Sequence, residues 1–329
     1  MFSMNKFGND LYTGKVSVPF VRRRRLWFLI AIALVLGAVA VLLIKPPQFS
    51  IEFTGGSQFT VSGVEAPDQL VAGDTVREIV PNATTKVTTV GDDAVRVQTD
   101  QMSETETREV AAALADAYKV DPAEVTTSFI GPTWGADVTR QSLVGLGIFL
   151  ALTFIILAVY FRTWKMSVAA IIGLVDVLIV SVGIYSLAGF EISPAAVIGF
   201  LTILAYSLYD TTVVFDKIRE TTFEDGLKSG RTFAESVELG VNQTLIRSIN
   251  TSIVAVLPVA AILFIGVFWL GADTLSDISL SITVGIIVAA YSTLFVASPL
   301  YAVLREREPE LRARDAKLLE ARELAFVDA

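Results

Sequence analysis

Ala195–Phe215 reads AAVIGFLTILAYSLYDTTVVF, twenty-one residues carrying a single charge, Asp210. A helix needs about 20 such residues to cross the ~30 Å hydrocarbon core of a bilayer. Five further runs have this character. Leu26–Ile44, Leu143–Phe161 and Ile278–Leu300 hold no charge, Met166–Leu187 holds only Asp176, and Ile246–Leu270 holds Arg247 near its start. The reading is therefore a polytopic α-helical membrane protein with six transmembrane helices over 26–44, 143–161, 166–187, 195–215, 246–270 and 278–300.

Composition agrees. The 329 residues are 53% hydrophobic and 18% charged, with a mean hydropathy of +0.60. That is too apolar for a soluble chain of this length. The sequence has neither cysteine nor histidine. This excludes disulfides, thiolate or imidazole metal sites, Ser-His-Asp catalysis and a histidine proton switch. Proton chemistry must then use carboxylates, lysine, arginine, tyrosine or water. No nucleophile–base set or metal cluster is visible, so an enzyme is the least expected class and no cofactor is expected. A net charge of −8 argues against a nucleic-acid partner. The first run follows Arg22-Arg23-Arg24-Arg25 and contains Ala38-Val39-Ala40, features shared with a signal peptide. It is longer than the usual h-region of about 7–15 residues and continues past that would-be cleavage site, so an uncleaved first span fits better.

Lysine and arginine set the orientation. Residues 1–25 end in the four arginines, and Arg162 and Lys165 lie between spans two and three. Lys217, Arg219, Lys228 and Arg231 lie in the loop 216–245, and Arg305 to Arg322 occupy the tail 301–329. The loops after spans three and five carry Glu191, and Asp273 with Asp277, without a basic residue. Both termini are expected in the cytoplasm, and residues 45–142 outside. From Glu52 to Asp137 there are fifteen acidic and five basic residues, a net of −10, which leaves the rest of the chain at +2.

The outer segment reads as a small α+β domain. Phe59 and Val61 alternate with Thr60 and Ser62 as in a half-buried strand. Pro67 suits a first helical turn, with Leu70, Val71, Val76, Ile79 and Val80 as the apolar face. Val87 and Val90, then Gly91-Asp92-Asp93, then Val95 and Val97 form a hairpin. Ser103-Glu104-Thr105-Glu106 is a capping box before Val110 and Leu114, and Val125–Ile130 is a last strand. The order β-α-β-β-α-β is the ferredoxin-like one.

Charges inside the spans are the informative residues. One at the centre of a membrane helix costs roughly 2.5–3.5 kcal/mol on insertion scales and normally faces a bundle interior or wet cavity. At 1.5 Å per residue Asp210 lies about 22 Å from the outer end of span four, and Asp176 about 15 Å into span three. Arg247 lies at the depth of Asp210, so the two can pair, with Asp176 further out. Thr202, Tyr206 and Asp210 share one helix face, and Arg247, Asn250 and Thr251 form a similar stripe on span five. Asp216 stands at the cytoplasmic boundary beside Lys217 and within a turn of Arg219 and Glu220, a setting for an ion pair or helix end. Burial disfavours a charged carboxyl and an approaching cation favours it, so moving a guanidinium relative to a carboxyl couples proton uptake to helix movement. The competing reading is that these charges only fix helix packing.

Four motifs in order resemble the SecD/SecF family of protein-export membrane proteins. Glu52-Phe53-Thr54-Gly55-Gly56 resembles the family's G-x-D-F-x-G-G, with Ser50 and Glu52 in place of glycine and aspartate. Gly131-Pro132-Thr133-Trp134-Gly135 resembles V-G-P-x-x-G. Tyr206 to Glu220 resembles the fourth-span motif Y-S-(x)₂-D-(x)₂-V-V-x-D-R-I-R-E, with Lys217 for arginine, and Asn242 to Ser252 resembles the start of the fifth span. The resemblance implies an RND-like half of six spans that pairs with SecD and joins the SecYEG channel, with SecA as the motor inside. Protons would be the coupling ion, preproteins the cargo and membrane lipids the surroundings. By position, Asp210 and Arg247 would be proton-pathway residues, with Asp176 a third. Gly55-Gly56 and Gly131-Pro132 would turn the chain at the membrane surface. An exporter of small molecules or lipids in the same superfamily, and a purely structural scaffold for the channel, are the alternatives. The segment Thr221–Asn242 reads either as an interfacial amphipathic stretch or as a packed loop. The tail reads as a solvated helix or disorder.

Overall fold

The structure, a computed structural model, describes residues 4–91, 93–223, 230–265 and 273–327. Asp92, Leu227, Lys228, residues 266–270 of the fifth apolar run and the last two residues of the tail lie outside the described residues. Among the described residues six helices are long and apolar enough to cross a membrane. They are α2 (Arg24–Ile44), α6 (Pro132–Phe161), α7 (Trp164–Ala188), α8 (Pro194–Phe223), α9 (Phe233–Ile265), and α10 (Asp273–Ser292) continued through a π-helical turn, Thr293–Ala297, into α11 (Ser298–Glu306).

These helices outrun the apolar windows. The 33 residues of α9 span about 50 Å at 1.5 Å per residue, well beyond a ~30 Å core. The helix begins thirteen residues before Ile246. Residues 216–245 are thus largely two helix extensions rather than a loop. Phe233, Val237 and Val241 are buried there, in one core with Phe215, Ile218 and Tyr301. Of the two readings of Thr221–Asn242, the packed one holds where the chain is described. The N-terminal segment is also more than a tail. Helix α1 (Met4–Tyr12) lies against α9, and Leu11, Phe20 and Val21 enter the same core. Asn242 locks it there, accepting from the Val18 amide at 2.8 Å and donating to the Val18 carbonyl at 3.0 Å. The C-terminal residues form helix α12, Pro309–Val327.

Between α2 and α6 the chain first forms strand β1 (Gln48–Phe49) and one helical turn, α3 (Ile51–Thr54). Gly55 and Gly56 follow with φ of 74° and 132°, the left-handed side that glycine adopts without strain. A Cβ on Gly56 would collide with the Thr99 carbonyl oxygen. The α/β domain then runs β2 (Gly56–Val61), α4 (Gln69–Ile79), β3 (Thr85–Val90), β4 (Ala94–Thr99), α5 (Glu104–Tyr118) and β5 (Val125–Ile130). The sheet is antiparallel throughout, in the order β3-β4-β2-β5. The element order is the β-α-β-β-α-β order read from the sequence.

Its core joins Phe59 and Val61, Val95 and Val97, and Val110 and Leu114, all without exposure. Full burial of each such side chain is worth about 1.5–3 kcal/mol. Three local expectations change. Pro67 precedes the N-cap Asp68, whose carboxylate accepts from the Leu70 amide, so the proline stands outside α4. Leu70 is 75% exposed and Val71 38%, because Ala72, Gly73 and Val76 form the inward face. Gly131 has φ −69° and ψ 147°, a backbone any residue adopts, and it serves as the N-cap of α6 with Pro132 in the first turn.

The α/β domain is fastened to the bundle through the α7–α8 connection. Strand β1 pairs in parallel with β6 (Glu191–Ile192). The Glu191 carboxylate takes an ion pair from Lys86 on β3 and a 2.7 Å hydrogen bond from Gln98 on β4. Arg96 lies in the same junction. Burial pushes its guanidinium below the ordinary value, against the attraction of Glu191, Asp277 and Glu52.

Two outcomes follow from these contacts. Glu191→Ala should speed amide hydrogen exchange in β3 and β4 severalfold, leaving α8 unaffected; unchanged exchange in the two strands would show that the junction does not hold the domain. At the start of α5, Ser103 donates its amide to Glu106 at 2.8 Å, and the Glu106 amide donates to the Ser103 hydroxyl at 3.3 Å. The Ser103 hydroxyl, donating to Glu106 Oε2 at 2.6 Å, and then the Ser103 amide hold the Glu106 carboxyl below its ordinary value of 4.5. A depressed carboxyl stabilises above its unfolded value and loses that contribution as pH falls through the folded one. The melting temperature of wild type minus Glu106→Gln should therefore be positive at neutral pH and shrink once the pH drops below 4.5. A difference that does not change with pH would contradict the assignment.

Candidate functional site

Helices α7, α8, α9 and α10 bring the buried polar residues together. Asp210 on α8 is 4% exposed and Asp176 on α7 is 6% exposed. Lipid offers neither a partner, so any hydrogen bond must come from a neighbouring helix. Ser248 on α9 supplies one, its hydroxyl donating to Asp210 Oδ1 at 2.9 Å. The second oxygen, Oδ2, has no hydrogen-bond partner, and neither has Oδ2 of Asp176. An unmet carboxyl oxygen in an apolar bundle carries a desolvation cost of about 1–3 kcal/mol, more when charged.

Arg247 is placed differently from the direct pair that depth allows. Residues 247 and 248 face different directions on α9, and it is Ser248 that turns inward. Arg247 is exposed, and its Nη2 donates to the Tyr209 hydroxyl at 3.4 Å. The guanidinium is still near enough to act on Asp210 through space. Tyr206 is half-buried near Asp210 and Ser252, and its hydroxyl and that of Ser252 lack partners within hydrogen-bond geometry. Thr202 and Asn250 are exposed, Thr202 bonding back to the Ile198 carbonyl at 2.7 Å and Thr251 to the Arg247 carbonyl at 2.8 Å. The polar stripe thus divides. Asp210 points into the bundle, while Thr202, Tyr209, Arg247 and Asn250 face outward at membrane level.

The two acids are bridged by the sixth apolar helix. Thr211, next to Asp210, shares a 2.9 Å hydroxyl–hydroxyl bond with Thr293, the first residue of the π-helical turn. Ser292 precedes it, donating to the Gly173 carbonyl at 3.0 Å beside Asp176. Pi-helical turns recur at functional positions because the extra residue frees backbone groups and re-aims side chains. Here the Ser298 hydroxyl satisfies the Thr293 carbonyl at 2.8 Å. Sequence reading missed Ser248, Ser292, Thr211 and Thr293, since hydroxyls on an apolar helix carry no charge to mark them. Ser248 and Thr211 had one signal, proximity in sequence to Arg247 and Asp210; Ser292 and Thr293 had none.

At the boundary, Asp216 is exposed and accepts a long 3.5 Å bond from the Tyr160 hydroxyl. The ion pair there is Lys217–Glu220 at 2.5 Å, and Arg219 donates to the Tyr160 carbonyl at 3.4 Å. At the end of the bundle that carries the α/β domain, Asp277 accepts from Tyr185 at 3.1 Å and from Ser193 at 2.7 Å. Sequence reading took Asp277 for a loop acid. Among the described residues no group of three or more acidic side chains is arranged to hold a metal ion.

The family model described as "Protein export membrane protein SecD/SecF, C-terminal" matches residues 109–307, and "SecD/SecF GG Motif" matches 40–63. The chain is 38% identical over 326 residues to the protein translocase subunit SecF of Streptomyces coelicolor, covering 98% of this chain and 86% of that one. It is 36% identical over 329 residues to that of Mycobacterium tuberculosis H37Rv, covering 97% and 74%. It superposes on the crystal structure of SecDF from Thermus thermophilus, a translocon-associated membrane protein, with a TM-score of 0.75 at 29% identity over 89% of this chain. The chain spans 39% of that SecDF chain. With a family model over more than half its length and relatives that align with nearly all of it, the chain belongs to the SecD/SecF family of protein-export membrane proteins.

Proposed function

We propose that this chain is the SecF-type subunit of a preprotein translocase and that, with a SecD-type partner, it uses the proton motive force to promote export across the cytoplasmic membrane. The observation that carries the proton part is Asp210. Its carboxyl is buried in a membrane helix, held by Ser248 at 2.9 Å through one oxygen and by nothing through the other. A group so placed can take up and release a proton as the neighbouring helices shift. Arg247, one residue from Ser248, is the cation whose approach or retreat would set which form is preferred. Each unit charge that crosses 100 mV gains about 2.3 kcal/mol, a roughly fifty-fold bias on a conformational equilibrium.

The outward polar face supports the partner. Arg247, Tyr209 and Asn250 are exposed on the isolated chain at membrane depth. An arginine left to lipid costs roughly 2.5–3.5 kcal/mol on insertion scales. A second six-helix subunit covering that face removes the cost and encloses the proton route, as in a pseudo-symmetric pair. In this reading the arginine-rich end lies in the cytoplasm with both termini, and the α/β domain lies outside, where it would help draw the preprotein from the SecYEG channel while SecA works inside. Protons are the coupling ion, no cofactor takes part and the chain is not an enzyme.

Energised export into membrane vesicles tests the reading. Asp210→Asn should cut the proton-gradient-stimulated part of export at least roughly tenfold while leaving the ATP-driven part. Ser248→Ala should weaken it less, by about the tenfold or under that one hydrogen bond of 0.5–1.5 kcal/mol allows. Full gradient stimulation in Asp210→Asn would leave only a packing role for the carboxyl.

A further inference from the structure

At the arginine-rich end of the bundle, opposite the α/β domain, the N-terminal segment folds onto the start of α9 and leaves a cavity of about 710 Å³. Arg22, Arg23, Arg24 and Arg25 line it together with Leu26, where the apolar part of α2 begins. Three acids also line it, and each is committed elsewhere. Glu238 accepts from the backbone amides of Val21 and Arg22 at 3.2 and 2.9 Å and from the Ser17 hydroxyl. Glu306 pairs with Arg24 at 2.5 Å. Glu235 accepts a two-pronged contact from Arg322, 2.9 Å on each oxygen.

The remaining cations are unspent. Arg22, Arg23 and Arg25 are exposed, and among the described residues none makes a side-chain hydrogen bond or ion pair. The same cavity receives the N-terminus of α2. Its N-cap, Arg23, gives no side-chain bond to the first amides, so the positive end of the helix dipole adds to the field. Leu26 beside it is 47% exposed and opens the apolar surface of α2. The cavity therefore has a floor of guanidiniums and a lip of membrane-facing hydrocarbon.

We propose that this cavity binds the phosphate headgroup of an anionic glycerophospholipid, with Arg22, Arg23 and Arg25 as its ligands and the acyl chains running along α2. Guanidinium forks match phosphate oxygens two at a time, which lysine does not. Bound there, the lipid would pin the N-terminal clamp, which meets α9 at Asn242, six residues from Ser248.

The protein, reconstituted in vesicles of equal phosphatidylglycerol and phosphatidylcholine and re-extracted in mild detergent, is examined by native mass spectrometry for retained lipid. Wild type should retain phosphatidylglycerol over phosphatidylcholine. Replacing all three arginines by lysine (R22K, R23K and R25K) keeps the charge and the topology signal, and should lower that retention roughly fivefold or more. Removing three exposed cations elsewhere (R307Q, R312Q and K317Q) should leave it within about twofold if the cavity, and not the general field, holds the lipid. Equal loss in the two triple variants, no preference in wild type, displacement by millimolar inorganic phosphate alone, or an acidic protein segment found on the arginines in place of lipid would each overturn the proposal. The wild-type preference and the phosphate competition decide the matter even where a variant fails to fold.

Discussion

The hydrogen bond from Ser248 to Asp210 is the contact on which the bundle's polar interior turns. In a soluble protein water would satisfy an acid in this place. Between membrane helices only another helix can do so. This requirement ties α8 to α9 at one depth. The Thr211–Thr293 bond then ties α8 to the π-helical turn, and Ser292 ties that turn to α7 beside Asp176. Each helix of the four thus contributes at least one polar group, and the apolar packing around them fixes where those groups meet. The arrangement stays incomplete, with one oxygen on each acid unmet.

The same constraint acts at the two ends of the molecule with water nearby. At one end the Glu191 carboxylate gathers Lys86 and Gln98 and joins the sheet to the helices, while Asp277 gathers Tyr185 and Ser193. At the other, Glu238 and Asn242 bind the backbone of the N-terminal segment. Both ends of the bundle are thus held by polar contacts as well as by packing. In the function we propose, these contacts are where a proton on Asp210 would be coupled to the distant domain.

Much of this was legible in the chain. Six apolar runs gave the membrane helices because hydrocarbon thickness fixes their length. The β-α-β-β-α-β order followed from alternation, from Gly91 in the hairpin turn and from the capping box at Ser103. Asp176, Asp210 and Arg247 stood out because charge is costly in lipid. The helix ends were misplaced. Hydropathy marks where lipid begins, whereas α8 and α9 continue past it on the packing of Ile218, Phe233 and Val237. Depth allows an Asp210–Arg247 pair, but the direct partner is Ser248, because one residue along a helix turns a side chain by about a quarter of the circle. Depth was readable, but direction around the axis was not. The strand pair β1–β6 was hidden too, since two-residue strands have no period to read.

The central claim is that the Asp210 carboxyl changes its protonation during the working cycle. Infrared difference spectroscopy of the reconstituted complex, with ¹³C-labelled aspartate and an imposed proton gradient, reads this directly. The account predicts a carboxyl C=O band that changes when the gradient is applied, shifts with the label and is missing in Asp210→Asn. A spectrum in which no aspartate band responds, or in which the same band persists in the Asn variant, would contradict it.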